Sequence, residues 1–180
     1  MAEEQKKRRG RRAYLDDYET QADGQIVYTG KVYIYTGVRS WKKALGVLWL
    51  WTGLLGVCVL ICGMLPASGM LNTVYVLLPW VLAFVGMGSV ILALYRMARQ
   101  GKELKEHVYK STAAALPLRV MFTAVCCAVT SLGQGIKLIL DGLGNSPAAD
   151  LCFIPLMALA AVLAAVLWPQ VRKLPFAPRP

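Results

Sequence analysis

Four long apolar runs follow a polar leader, at residues 44–65, 73–95, 118–140 and 151–168, and none contains an acidic residue. About 20 apolar residues of helix, rising about 1.5 Å each, match a hydrocarbon core of roughly 30 Å. Within that core every backbone N–H and C=O needs a partner inside the protein, which leaves helices or a closed β-barrel. A barrel strand reads as roughly ten residues of alternating polarity. The stretches 47–62 and 81–94 are instead almost continuously apolar, broken only by Thr52 and Ser89. The pattern predicts an all-α integral membrane protein with four transmembrane helices, arranged as two helical hairpins with short connections at 66–72 and 141–150. The chain then divides into a basic, tyrosine-rich leader (1–43), the four-helix bundle (44–168) and a short basic, proline-rich tail (169–180).

The leader changes character part-way. Residues 26–28 and 32–36 are rich in β-branched and aromatic side chains, Asp23–Gly24 is a turn signal, and Gly30 and Gly37 punctuate the segment. A small β-hairpin or meander is expected here. Two strands alone are marginal in water, so the unit should dock on something, with Tyr28, Tyr33 and Tyr35 as its contacts. A partly ordered lead into the first helix fits the same residues. The first apolar run begins too late for a cleavable signal, which occupies roughly the first 15–30 residues, so that helix reads as a permanent anchor.

Charge orients the bundle. Of 20 lysines and arginines, ten precede the first helix, none lies in 66–72, six fall between Arg96 and Arg119, one is Lys137, and three are in the tail. Cytoplasmic loops retain the excess of Lys and Arg, so both termini and the middle connection are expected in the cytoplasm. Trp41, Tyr75, Trp80, Tyr95 and Trp168 cluster toward run ends, where amphipathic rings prefer the headgroup level. The run containing Lys6, Lys7, Arg8, Arg9, Arg11 and Arg12 should fix topology and grip anionic lipid, at about 1 kcal/mol per basic residue. A nucleic-acid partner is not expected, because a membrane surface explains that run better. Short loops, strong charge bias and no cleavable signal suit a bacterial inner (plasma) membrane.

The third helix is amphipathic inside the membrane. Thr123, Cys127, Thr130, Gln134, Lys137 and Asp141 recur at spacings of 4, 3, 4, 3 and 4, which places all six on one face. Two readings fit. The stripe packs against neighbouring helices through hydrogen bonds of about 0.6 kcal/mol each, or it lines a watery cavity. Lys137 is expected to snorkel to the interface and pair with Asp141 one turn on. Small pairs at Gly53/Gly56, Ser89/Ala93, Ala160/Ala164 and Ala161/Ala165 read as helix contacts, within the bundle or in a homo-oligomer. Pro79 should kink the second helix, and Pro117 should open the third. The second helix is expected to continue through 95–110, with Glu106 paired to Lys110 and the lone His107 exposed to solvent.

Catalytic signatures are absent from the sequence: it has no P-loop, G-x-S-x-G or H-E-x-x-H motif and only one histidine. The five cysteines read as small apolar residues in packed helices. No cofactor, no metal and no enzymatic activity are expected. The leading expectation is an accessory or interaction subunit whose leader docks a protein partner or the lipid surface. The alternative is a small solute transporter or channel lined by the polar face of the third helix.

Overall fold

The computed structural model describes residues 18–20, 26–28 and 30–179. The basic run from Lys6 to Arg12 and the Asp23–Gly24 turn lie outside them. In chain order the elements are strands β1 (Tyr18–Thr20), β2 (Ile26–Tyr28) and β3 (Val32–Tyr35), helix α1 (Trp41–Met64), a short α2 (Ser68–Asn72) and α3 (Val74–Gln100). Then come β4 (Glu103–Lys105), a short α4 (Glu106–Ser111), α5 (Leu116–Asp141), α6 (Pro147–Arg172) and β5 (Phe176–Pro178). Four helices are long and apolar enough to cross a membrane, and their apolar windows fall in α1, α3, α5 and α6.

Local chemistry sets the helix ends. Proline opens both α5 and α6, where a missing N–H costs nothing. α3 and α5 stop at Gly101 and Gly142, whose φ of 79° and 76° are left-handed values that suit glycine. Pro79 and Pro155 are accommodated within α3 and α6. Each long helix packs on two others: α1 on α3 and α6, and α5 on the same pair. The interior is built from Leu55 and Val59 of α1, Val90 and Leu94 of α3, Cys127 of α5, and Phe153 and Met157 of α6, all fully buried or nearly so. The opposite faces carry exposed apolar side chains such as Leu50, Val85, Leu132 and Ile139, the last 84% exposed. Apolar residues inside and out are what a lipid-embedded bundle requires.

Small residues sit at the tightest crossings. Ala160 and Ala164 are fully buried, whereas Ala165 of the parallel pair faces outward. Gly86 is buried against α5, and a methyl group there would meet Thr123 Oγ1 at 2.6 Å. Gly88, on another face, has nothing within 4 Å of the same position. Gly86→Ala should therefore lower stability by about 1–3 kcal/mol through overpacking, while Gly88→Ala should leave it unchanged. Thermal unfolding of the two variants in detergent checks the contrast.

The non-helical segments form something the sequence did not disclose. β1 and β2 pair antiparallel, with Tyr18 opposite Tyr28. β3 does not join them. It is the centre of a separate antiparallel sheet in the order β4-β3-β5, so leader, middle connection and tail meet at one end of the bundle. The expected continuation of the second helix through 95–110 is corrected: α3 ends at Gln100, the chain turns at Gly101, and residues 103–105 pair with β3 before α4 begins. Pro178 is tolerated because β5 is an edge strand. The Glu106–Lys110 pair forms at 2.6 Å.

Aromatic side chains fasten this sheet to the helices. Tyr33 stacks on Tyr109 at 4.1 Å, and Tyr35 lies against Trp41 at 5.1 Å and Phe176 at 5.7 Å. Trp41 and Tyr109 each also meet Phe176 at 5.7 Å. Such pairs contribute about 0.5–1.5 kcal/mol each beyond the area they bury. The Tyr28 hydroxyl donates to the Lys31 carbonyl at 3.3 Å and accepts from the Glu106 N–H at 3.2 Å. The three tyrosines expected to dock the leader do so, on the protein's own middle connection, first helix and tail.

Candidate functional site

The stripe on α5 points into the bundle. Thr123, Cys127, Thr130 and Gln134 are fully buried, and Lys137 is 6% exposed. Asp141, the sixth position, is exposed at the helix end. Thr123 and Thr130 do not bond across helices. Their hydroxyls donate one turn back along α5, to the carbonyls of Arg119 at 2.9 Å and Cys126 at 2.8 Å. The neighbouring Ser131 makes the crossing bond instead, to the Ile154 carbonyl of α6 at 3.0 Å. A fully buried side chain touches no water-sized space, so the middle of the stripe is packed rather than wetted in this conformation.

Its far end enters a compact polar cluster, at the end of the bundle away from the sheet. Asp150, in the first turn of α6 and 0% exposed, is the centre. Its Oδ1 accepts from the Ser68 backbone N–H at 2.7 Å, the Ser68 hydroxyl at 2.8 Å and Gln134 Nε2 at 3.1 Å. Its Oδ2 accepts from the Gly144 N–H at 2.9 Å, with Ser68 Oγ a further 3.0 Å neighbour. Lys137 Nζ donates to Ser68 Oγ at 2.6 Å and reaches the Gly142 carbonyl at 3.4 Å. Four segments are thus tied together: α2, α5, α6 and the loop between the last two.

Two expectations are corrected here. Lys137 does not pair with Asp141; it turns into the bundle and is coupled to Asp150 through the Ser68 hydroxyl. The physical reason is pairing: a lysine buried among helices needs a nearby anion and hydrogen-bond acceptors, and the interior supplies them. Nor are the helices free of acid, because α6 begins at Pro147 rather than at 151 and carries Asp150 inside it. Asp150 had a readable signal, since Ser146–Pro147 followed by an acid in the first turn marks a helix start. Ser68 had none, being an ordinary serine in a short connection.

A lysine 2.6 Å from a serine hydroxyl is also the spacing of a serine nucleophile and a lysine base. The surroundings argue for a different role. A hydroxyl has one proton, and here two oxygens of Asp150 stand ready to accept it at 2.8 and 3.0 Å. Lys137 is then the donor to Oγ, and the hydroxyl proton is directed at the carboxylate rather than at the lysine. The serine bridges opposite charges.

At the sheet end, His107 is half-buried rather than solvent-exposed. Arg119 reaches from α5 to the carbonyl of Ser89 on α3 and to that of Ser111, each at 3.0 Å. Cys58, Cys62, Cys126 and Cys127 are buried in the bundle, and Cys152 is exposed near the start of α6. No family model, no curated protein and no solved structure matches the chain.

Proposed function

We propose that this is a non-enzymatic accessory or interaction subunit, multi-pass in a bacterial plasma (inner) membrane, with both termini in the cytoplasm. The observation that carries the reading is the sealed stripe on α5. Thr123, Cys127, Thr130 and Gln134 have no exposed surface; the Thr123 and Thr130 hydroxyls, Gln134 Nε2 and Lys137 Nζ all donate within the protein, while Gln134 Oε1 is buried without a hydrogen-bond partner. The threonine hydroxyls that would line a solute path turn back onto their own helix, and Gln134 and Lys137 are drawn into the cluster around Asp150 and Ser68. What the fold presents outward is a sheet fused to the helix ends, beside exposed basic residues at Lys31, Arg39, Lys42, Lys43, Arg96, Arg99 and Lys102. Such a surface suits contact with a protein partner and with anionic headgroups, reinforced by the leader's basic run.

Cysteine accessibility tests it. In a cysteine-free version, Thr130→Cys should resist a small water-soluble thiol reagent in intact membranes, while Asn145→Cys, in the exposed loop before α6, should react fast. Rapid labelling at position 130 would mean that the stripe opens to water, and the transporter reading would replace this one. Crosslinking in native membranes supplies the second arm: recovery of the protein only as a lone species would remove the interaction reading.

A further inference from the structure

We propose that the cleft between α4, the start of α5 and the end of α6 is a binding site for the headgroup of one anionic phospholipid. The cleft has a volume of about 290 Å³ and is lined by Tyr109, Ala114, Pro117, Val171, Arg172 and Phe176, among others. Five of these six side chains are apolar or aromatic and the sixth carries a guanidinium, while polar atoms contribute much of the surface the cleft exposes. Arg172 is exposed, and its guanidinium lies 5.2 Å from the Trp168 ring. Lys110–Glu106 is the one ion pair among the described residues, so no described carboxylate neutralises Arg172.

Position identifies the ligand class. Trp168 closes the last apolar run, and Arg172 is one turn beyond it, which is the level of lipid headgroups. Pro117 opens α5 at the same level, and the next residue, Leu118, is 72% exposed toward the surrounding lipid. Val162 and Val166 of α6 are likewise exposed further in. A phosphodiester bound at Arg172 would therefore have acyl chains running onto surfaces that are already lipid-facing. Arg binds phosphate by paired, charge-assisted hydrogen bonds, and stacking on Trp168 limits the freedom lost in doing so. The cleft is too small for a whole lipid and suits a phosphate with its glycerol and first methylenes. Exposed Lys173 follows Arg172 in the chain, so an added ammonium, as in a zwitterionic headgroup, meets like charge. The site is independent of the leader's basic run and rests on the transmembrane reading alone.

Native mass spectrometry of the full chain, released from detergent with phosphatidylglycerol or chain-matched phosphatidylcholine, tests the site. One phosphatidylglycerol should be retained in preference to phosphatidylcholine, and inorganic phosphate should not displace it. Arg172→Gln should cut that retention by about tenfold, the worth of one charge-assisted bond. Ala114→Trp, which fills the mouth, should cut it similarly. Glutamine at Lys6, Lys7, Arg8, Arg9, Arg11 and Arg12 should leave the single retained lipid in place. Equal retention of the two lipids, unchanged retention in Arg172→Gln, or loss only in the leader variant would overturn the proposal. Displacement by inorganic phosphate would reassign the cleft to a free anion. Arg172 lies at the surface, so that variant decides the matter even where Ala114→Trp does not fold.

Discussion

Asp150→Ala is expected to destabilise the bundle by about 3–5 kcal/mol, because removing a buried carboxylate leaves several donors unsatisfied at about 1–3 kcal/mol each, partly relieved by rearrangement. Losing the carboxylate strands two backbone N–H groups, at Ser68 and Gly144, together with the Gln134 amide and the Ser68 hydroxyl. It also leaves Lys137 with no anion in its network. Lys137→Met should cost less, about 1–3 kcal/mol, because Asp150 keeps its other donors. The acid is surrounded, whereas the lysine sits at the edge of the cluster with 6% of its surface exposed. Ser68→Ala should fall between them, since it cuts the bridge and leaves the Ser68 backbone contact intact. Thermal unfolding in detergent, followed by tryptophan fluorescence, gives the order. If Lys137→Met cost more than Asp150→Ala, Lys137 rather than Asp150 would be the organising group. If neither moved the midpoint, the cluster would not hold the helix ends at all.

Hydropathy made the helices legible, and each of the four lies where its apolar run is. The period of the α5 stripe also foretold which of its residues share a face, and five of the six are buried on it. Partners were another matter. Lys137 had an acid at i+4, within local reach although in the less favourable order, and chose one thirteen residues away that reaches it only through Ser68 on a third segment. Local spacing encodes what a helix can do in isolation, while burial decides which of those options survives. The sheet was half legible for the same reason. β3 has the composition of a strand, but Glu103–Lys105 and Phe176–Pro178 do not, and they become strands only because β3 offers them a backbone to pair with. Three-residue edges carry too little pattern to be read before their partner is placed.

Trp41→Ala is the second large effect expected, and its character matters more than its size. Trp41 is the first residue of α1, 4% exposed, and packs against Tyr35 of β3 and Phe176 of β5. Truncating a buried aromatic of this kind costs about 3–5 kcal/mol. The loss falls on the contact between sheet and helices, because Trp41 lies at the end of α1 and the long helices hold one another through separate interior residues such as Leu55, Val90 and Phe153. The sheet should therefore come away first. Tryptic cleavage after Lys31 and Lys102, which flank the strands, should accelerate strongly in Trp41→Ala, while the variant still elutes as a folded species in detergent. Trp41→Phe should recover much of the protection by keeping an aromatic face for Tyr35 and Phe176. Unchanged protection would mean that backbone pairing alone holds the sheet. Simultaneous loss of sheet and helices would mean that the cap and bundle fold as one unit, and that the leader, middle connection and tail are as much a part of the membrane protein's stability as its apolar core.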